Sequence, residues 1–197
     1  MSRLDLVLAS SSLYRRQLLE RLRLPFDWIS PQVDETPLAG EAPAELALRL
    51  ALAKSRAVAE QRPDALIIGC DQVLVSANHL LGKPATPQRA QQQLRQMSGA
   101  QAVFYNGICL YNSASGALQQ AVETVTVHFK PLSDEVIDRY LRLEPAYDCA
   151  GSFKSEGLGI VLFERIESND PTALIGLPLI RLCQLLENEG VSPLGFS

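Results

Sequence analysis

One run constrains the fold more than any other: Ala65-Leu66-Ile67-Ile68-Gly69-Cys70, unbroken by a polar residue and followed by Asp71. A strand with one wet face alternates polar and apolar side chains, so an unbroken run of this length predicts a strand covered on both faces, with helices on either side of a sheet. Asp71 then stands at the carboxyl end of a buried strand. A chain of 197 residues is long enough for such a layered fold, burying roughly 70% of its unfolded surface without staples.

The rest of the chain supplies the layers. Leu4 to Ala9 is a short β-type run that stops at Ser10-Ser11-Ser12, and Ser12 is placed to cap a helix from Leu13 to about Leu24. A strand is expected over Phe26 to Ile29. Ser30 to Pro43 collects three prolines, Gly40 and several acids, and reads as a long ordered loop of the kind that often carries function. Pro43 suits the first turn of a helix reaching about Gln61, with an inward stripe of Leu46, Leu50, Ala53 and Ala57 and with Lys54 at its edge. Beyond a turn at Asn78, a polar helix is expected from Pro87 to Met97. Ala102 to Tyr111 and Leu118 to Phe129, joined through Asn112 to Gly116, predict an antiparallel hairpin and hence a mixed sheet. Ser133 opens another helix, Gly151 to Gly159 forms a glycine-bounded loop before a strand at Ile160 to Ile166, and a last helix runs from about Leu177 to Glu189. No repeat or linker interrupts this pattern, so residues 1–197 read as a single domain.

Composition narrows the function. Eighteen basic against 22 acidic residues leave a net charge of −4, without the bulk positive field of a duplex-binding domain, so any anion site must be local. Apolar residues at 47% and charged residues at 20% exclude a disordered chain or a coiled coil. The Leu4 to Ala9 run is too short, and too interrupted by Asp5, for a signal peptide or membrane span. Cys70, Cys109, Cys149 and Cys183 form no C-x-x-C and read as buried, reduced thiols of a cytosolic protein. Only His79 and His128 are present, too few for a multi-histidine zinc site, and both read as structural or incidental. Chemistry therefore falls to carboxylates, lysines and arginines.

Three groups could carry it. Ser10, Ser12, Arg15 and Arg16 gather at one helix start, where a cation opposes the helix dipole unless an anion lies between them. Two readings stay open there: bound phosphate, or a capped helix whose arginines lie in solvent. Asp34, Glu35 and Asp71 offer the oxygen ligands that Mg²⁺ or Mn²⁺ prefers, although each alone also suits a turn or cap. Lys54 and Lys83 could neutralise a polyphosphate, or simply extend into water.

Taken together, the chain resembles the Maf nucleotide pyrophosphatases. The resemblance rests on Leu8-Ala9-Ser10-Ser11-Ser12 with Arg15, Val33-Asp34-Glu35-Thr36, Ala51 to Lys54, Gly69-Cys70-Asp71-Gln72, Gly82-Lys83-Pro84, Met97-Ser98-Gly99, Ala150-Gly151 and Gly176-Leu177-Pro178, in order along nearly the whole chain. It implies an α/β fold shared with inosine triphosphate pyrophosphatases: an elongated mixed sheet flanked by helices, with two lobes and a central cleft. It further implies a cytoplasmic, metal-dependent homodimer that hydrolyses a nucleoside triphosphate to the monophosphate and pyrophosphate. Under that resemblance Asp71 is the proton acceptor and touches metal, Glu35 is a metal-side carboxylate, and Ser10, Ser12, Arg15, Lys54 and Lys83 hold phosphate.

Tyr14, Gln72 and Glu156 fall at the family's substrate-specificity positions. Members acting on dTTP and UTP carry arginine, threonine and glutamine there, whereas this pattern, with Phe153-Lys154-Ser155-Glu156-Gly157, resembles the branch that acts on 7-methyl-GTP. That branch carries tryptophan where this chain has Tyr14; an aromatic face remains. A methylated guanine is cationic, so stacking on Tyr14 would contribute about 0.5–2 kcal/mol of cation–π energy. Glu156 could accept from the guanine ring N–H and exocyclic amine together. The rival readings are a pyrophosphatase for dTTP, UTP or another modified nucleotide, and a nucleotide-binding regulator of cell division.

Overall fold

The computed structural model describes residues 5–195. Its elements are β1 (Asp5–Ala9), α1 (Leu13–Glu20), β2 (Asp27–Ile29), α2 (Pro43–Ala59), β3 (Ala65–Ser76), β4 (His79–Leu81), α3 (Pro87–Met97), β5 (Gln101–Asn112), β6 (Leu118–Phe129), α4 (Asp134–Leu143), β7 (Phe163–Glu167) and α5 (Leu179–Asn188). The strands form a seven-stranded sheet in the order β2-β1-β3-β5-β6-β7, with β4 paired to β3. β1 is parallel to both β2 and β3, whereas β4 on β3 and β7 on β6 are antiparallel, so the sheet is mixed as expected. Five residues join β5 to β6, far short of a parallel crossover, and the Asn112 N–H bonds the Ala117 carbonyl across the turn. Leu4, expected to open the first strand, lies outside the described residues.

The chain divides into two compact units. The first comprises residues up to Gln72, Asn106–Glu123 and the segment from Asp170 onward; the second comprises Val73–Tyr105 and Thr124–Asn169. In the first unit the apolar run is buried on both faces. Leu66, Ile68 and Cys70 join Leu6, Leu8 and residues of α1 and α5 in one cluster, while Ile67 joins Val7, Ala9 and Val58 of α2 in another. Period-two alternation thus assigns one face of β3 to α1 and α5 and the other to α2. In the second unit α3 packs on α4, and Phe104, Phe129, Phe153 and Phe163 meet edge to face.

Several sequence boundaries move. The run from Ala65 does not stop at Asp71: β3 continues to Ser76, because the Asp71 carboxylate is met by a cation and the strand gains a partner in β4. Ala77 and Asn78, both at positive φ, make the two-residue turn into β4, a strand absent from the sequence expectation. α1 ends at Glu20 rather than near Leu24, tightening through i→i+3 bonds to a left-handed Arg23 before Pro25, whose ring disfavours helix at Leu24. The stripe of α2 is Leu46, Ala47, Leu50, Ala51, Lys54, Ser55 and Val58, so Ala53 and Ala57 flank it and Lys54 lies within it. Ile160 and Val161 lie in a 3₁₀ turn and the last strand starts at Phe163. The last helix starts at Leu179, after Pro178. None of the four cysteines is in a disulfide, but only Cys70 and Cys109 are buried; Cys149 and Cys183 are half-buried.

Candidate active site

The site is set by how closely α2 approaches the sheet. A Cβ on Gly69 would lie 2.1 Å from the Ala51 carbonyl oxygen, and one on Gly107 would lie 2.2 Å from that of Ala47. Only glycine at both positions lets the helix backbone rest on the strands. From that contact, Lys54 is three residues along the helix from Ala51, about 4.5 Å, and Asp71 is two residues along the strand from Gly69, about 6.6 Å. The two side chains therefore run out side by side and meet: Lys54 Nζ donates to Asp71 Oδ1 at 2.5 Å. Their side chains are only 10% and 11% exposed.

A second carboxylate reaches the same ammonium. Glu35 Oε1 lies 2.6 Å from Lys54 Nζ, although the Glu35 side chain is 60% exposed. A loop side chain this open holds its position only if its backbone is held. Arg49 of α2 does this, donating from Nε to Glu41 Oε1 at 2.6 Å, from Nη2 to Glu41 Oε2 at 2.9 Å and from Nη2 to the Thr36 carbonyl at 3.1 Å. Glu41 Oε2 also accepts the Leu38 N–H, and Asp34 Oδ1 accepts the Thr36 N–H. The Arg49 guanidinium, with the Leu38 N–H, pulls the Glu41 carboxyl down to about 2, and the Thr36 bonds lower that of Asp34.

Two carboxylates on one buried ammonium give a cation position built of hard oxygen donors. Among the described residues no cluster of three or more His, Cys, Asp or Glu side chains suited to a metal occurs. Mg²⁺, however, commonly takes one or two protein carboxylates and completes its shell with water and substrate phosphate. Glu35 and Asp71 fit that pattern in donor type and in converging on one cation.

At the start of α1, Ser12 Oγ accepts the Arg15 N–H at 3.4 Å, and Ser10 Oγ accepts the Ser12 N–H at 3.1 Å. Each hydroxyl keeps its own proton as the group that could donate to an anion. Arg15 does not lie in solvent: Nε donates to the Gly176 carbonyl at 2.9 Å and Nη1 to the Cys70 carbonyl at 2.7 Å. Those carbonyls compensate a cation at a helix start and fix the guanidinium beside the residue preceding Asp71. Arg16 lies over the Trp28 ring at 4.5 Å.

Gln72 faces away from Asp71, as successive strand residues must. Its Nε2 donates to Asn106 Oδ1 at 3.0 Å and to the Ala173 and Leu174 carbonyls at 3.2 Å, so its amide nitrogen is held inside the protein. Tyr14 is half-buried on α1. Lys83 and Glu156 belong to the second unit, and both are exposed there, Lys83 between β4 and α3 and Glu156 in the turn before the 3₁₀ segment at Leu158.

Sequence reasoning thus brought out the three charges that meet and missed the residues that hold them. The Arg49–Glu41 clamp spans eight positions in a stretch rich in charge and carries no spacing signal. Asn106 was findable, a lone amide in the otherwise apolar Phe104 to Leu110 stretch, as was Asp170, 1% exposed and followed by a Pro-Thr turn. Asp170 caps α5 through the Ile180 N–H and orders the loop whose carbonyls hold Gln72 and Arg15.

The sequence model of a family described as Maf-like protein matches residues 5–189. A relative named 7-methyl-GTP pyrophosphatase, from Nitrosococcus oceani, is 53% identical over 185 residues, covering 94% of this chain and 93% of its own length.

Proposed function

The chain belongs to the Maf family, and from that premise we propose that it is a nucleoside triphosphate pyrophosphatase that hydrolyses 7-methyl-GTP to 7-methyl-GMP and pyrophosphate. The observation that carries the proposal is the buried Lys54–Asp71 pair with Glu35 on the same ammonium. Burying two charges costs several kcal/mol each before their attraction offsets it, and a well-packed apolar pair would do as well for stability alone. A reaction that needs a fixed carboxylate and a fixed cation accounts for keeping them.

In this reading Asp71 accepts a proton from the water that attacks the α-phosphorus, and pyrophosphate leaves. Lys54 orients the Asp71 carboxylate and offers its ammonium to charge developing on the phosphate oxygens. Ser10, Ser12 and Arg15 line the start of α1 toward phosphate, and Lys83 adds a further cation. Glu35 and Asp71 would hold a divalent ion, Mg²⁺ or Mn²⁺, which supplies Lewis acidity and neutralises the triphosphate when bound. Tyr14 stacks on the cationic base and Glu156 accepts from its ring N–H and amine, which favours methylated guanine over thymine and uracil. The protein acts as a cytoplasmic homodimer that removes a modified nucleotide from the pool.

The test is pyrophosphate release from 7-methyl-GTP, GTP, dTTP, UTP and CTP, with Mg²⁺, Mn²⁺ or excess chelator. The proposal expects fast release from 7-methyl-GTP that chelator abolishes. Fast release from dTTP and UTP instead would overturn the substrate, and release from none would overturn the reaction.

A further inference from the structure

The turn that carries Glu156 is fastened at both ends by one pair of side chains from α4 and its C-cap. On entry, Phe153 is buried among Phe104, Phe129 and Phe163, and the Lys154 N–H donates to the Tyr140 hydroxyl oxygen at 3.1 Å. That hydroxyl in turn donates to Glu144 Oε2 at 3.1 Å. On exit, the Gly159 N–H donates to the same Glu144 oxygen, also at 3.1 Å. Between these anchors the Lys154 carbonyl accepts the Gly157 N–H at 3.2 Å and closes the turn.

The turn is also pressed onto its anchor. A Cβ on Gly157 would lie 2.2 Å from Glu144 Oε1, and one on Gly159 would lie 2.4 Å from the Lys154 carbonyl oxygen. Tyr140 is 3% exposed, so losing these partners would leave polar groups unsatisfied in a largely buried setting. The Tyr140 hydroxyl and the Glu144 carboxylate thus hold the backbone on both sides of Glu156, while Glu156 itself is exposed.

We infer that Tyr140 and Glu144 are positioning residues for nucleotide discrimination: they set where the Glu156 carboxylate stands and do not touch the nucleotide themselves. The inference rests on the reading of Glu156 as the carboxylate that pairs with the base. Two hydrogen bonds from a base to one carboxylate reward a fixed carboxylate, because a mobile one must be ordered at the moment of binding. Loosening the turn therefore weakens binding of the nucleotide that uses Glu156 and leaves one that does not use it almost unaffected.

The experiment compares kcat and KM for 7-methyl-GTP and for UTP in the wild type and in Glu156→Gln, Tyr140→Phe, Glu144→Ala and Glu144→Gln, with Tm recorded for each. Glu156→Gln should lower the kcat/KM preference for 7-methyl-GTP by roughly tenfold or more. Tyr140→Phe, which keeps the buried ring, and Glu144→Ala should lower it by roughly three- to tenfold, through KM for 7-methyl-GTP, with UTP kinetics unchanged. Glu144→Gln, whose amide oxygen can still accept both bonds, should retain most of the preference. Equal losses on both nucleotides in Tyr140→Phe would mean a merely structural role and overturn the inference. If Glu156→Gln lowers the preference and Tyr140→Phe and Glu144→Ala do not, the inference fails alone; if Glu156→Gln leaves it unchanged, the base-pairing reading fails and the inference falls with it.

Discussion

Two carboxylates in this protein are held in opposite ways. Asp71 is nearly buried, lies in the middle of a twelve-residue strand and is held by a full opposite charge from a packed helix. Glu156 is exposed and lies in a turn whose backbone is held by hydrogen bonds to the Tyr140 hydroxyl and the Glu144 carboxylate, while its own carboxylate accepts only from the neighbouring Ser155 hydroxyl among the described residues. The contrast follows from the two tasks proposed for them. A group that handles a proton benefits from an environment that neither water nor thermal motion can rearrange, and regular elements supply it. A group that discriminates between bases must be open to ligand, and a loop on a rigid support supplies that. Glu35 is intermediate: its side chain is open, its ammonium partner is buried, and its loop is clamped by Arg49 and Glu41.

If the contrast is real, the variants should separate. Lys54→Met has the largest expected effect, because it leaves Asp71 buried without its cation; removing one partner of such a pair costs about 3–5 kcal/mol, read as a drop in Tm or in the urea midpoint. Activity should fall with it on every nucleotide. A Lys54→Met protein as stable and as active as wild type would place the pair outside the function.

Next in size, Arg49→Met should release the loop that carries Glu35. The expected result is roughly a tenfold rise in the Mn²⁺ concentration needed for half-saturation, by analogy with the losses seen when groups supporting metal ligands are removed, together with weaker Mn²⁺ binding measured by electron paramagnetic resonance without nucleotide. An unchanged Mn²⁺ affinity would show that Glu35 needs no clamp.

The smallest effect concerns pH. Glu41 has a folded pKa held near 2, below its ordinary 4.5, so its pairing with Arg49 stabilises the fold above pH 4.5 and is lost as pH falls through about 2. A Glu41→Gln protein should therefore melt below wild type at neutral pH, with the difference shrinking between pH 4.5 and 2. A difference independent of pH in that window would remove the ion pair as its cause.

Legibility from sequence followed the same division. The apolar run at Ala65 to Cys70 announced a strand covered on both faces, and the clusters on either side of β3 bear that out. The reach of that strand was misread, because a charged residue inside an apolar run resembles a terminus until its partner is known, and the partner comes from a helix seventeen positions earlier. For the same reason Lys54 read as a rim residue. Helical periodicity places it one turn beyond Leu50, but only the close approach allowed by Gly69 and Gly107 puts it inside the stripe. Ser12 and Ser133 read directly as N-caps, since a cap is a local interaction. Arg49 with Glu41, and Tyr140 with Glu144, did not, because their meaning depends on which loop each supports.

The measurement that tests the account most directly is single-turnover pyrophosphate release from 7-methyl-GTP with Mg²⁺ by Asp71→Asn, on protein whose far-UV circular dichroism matches wild type. The amide keeps an acceptor for Lys54 but can no longer take a proton, so release should fall by roughly 10²- to 10⁴-fold while nucleotide binding persists. Release near the wild-type rate would contradict the assignment of Asp71 as the group that activates water.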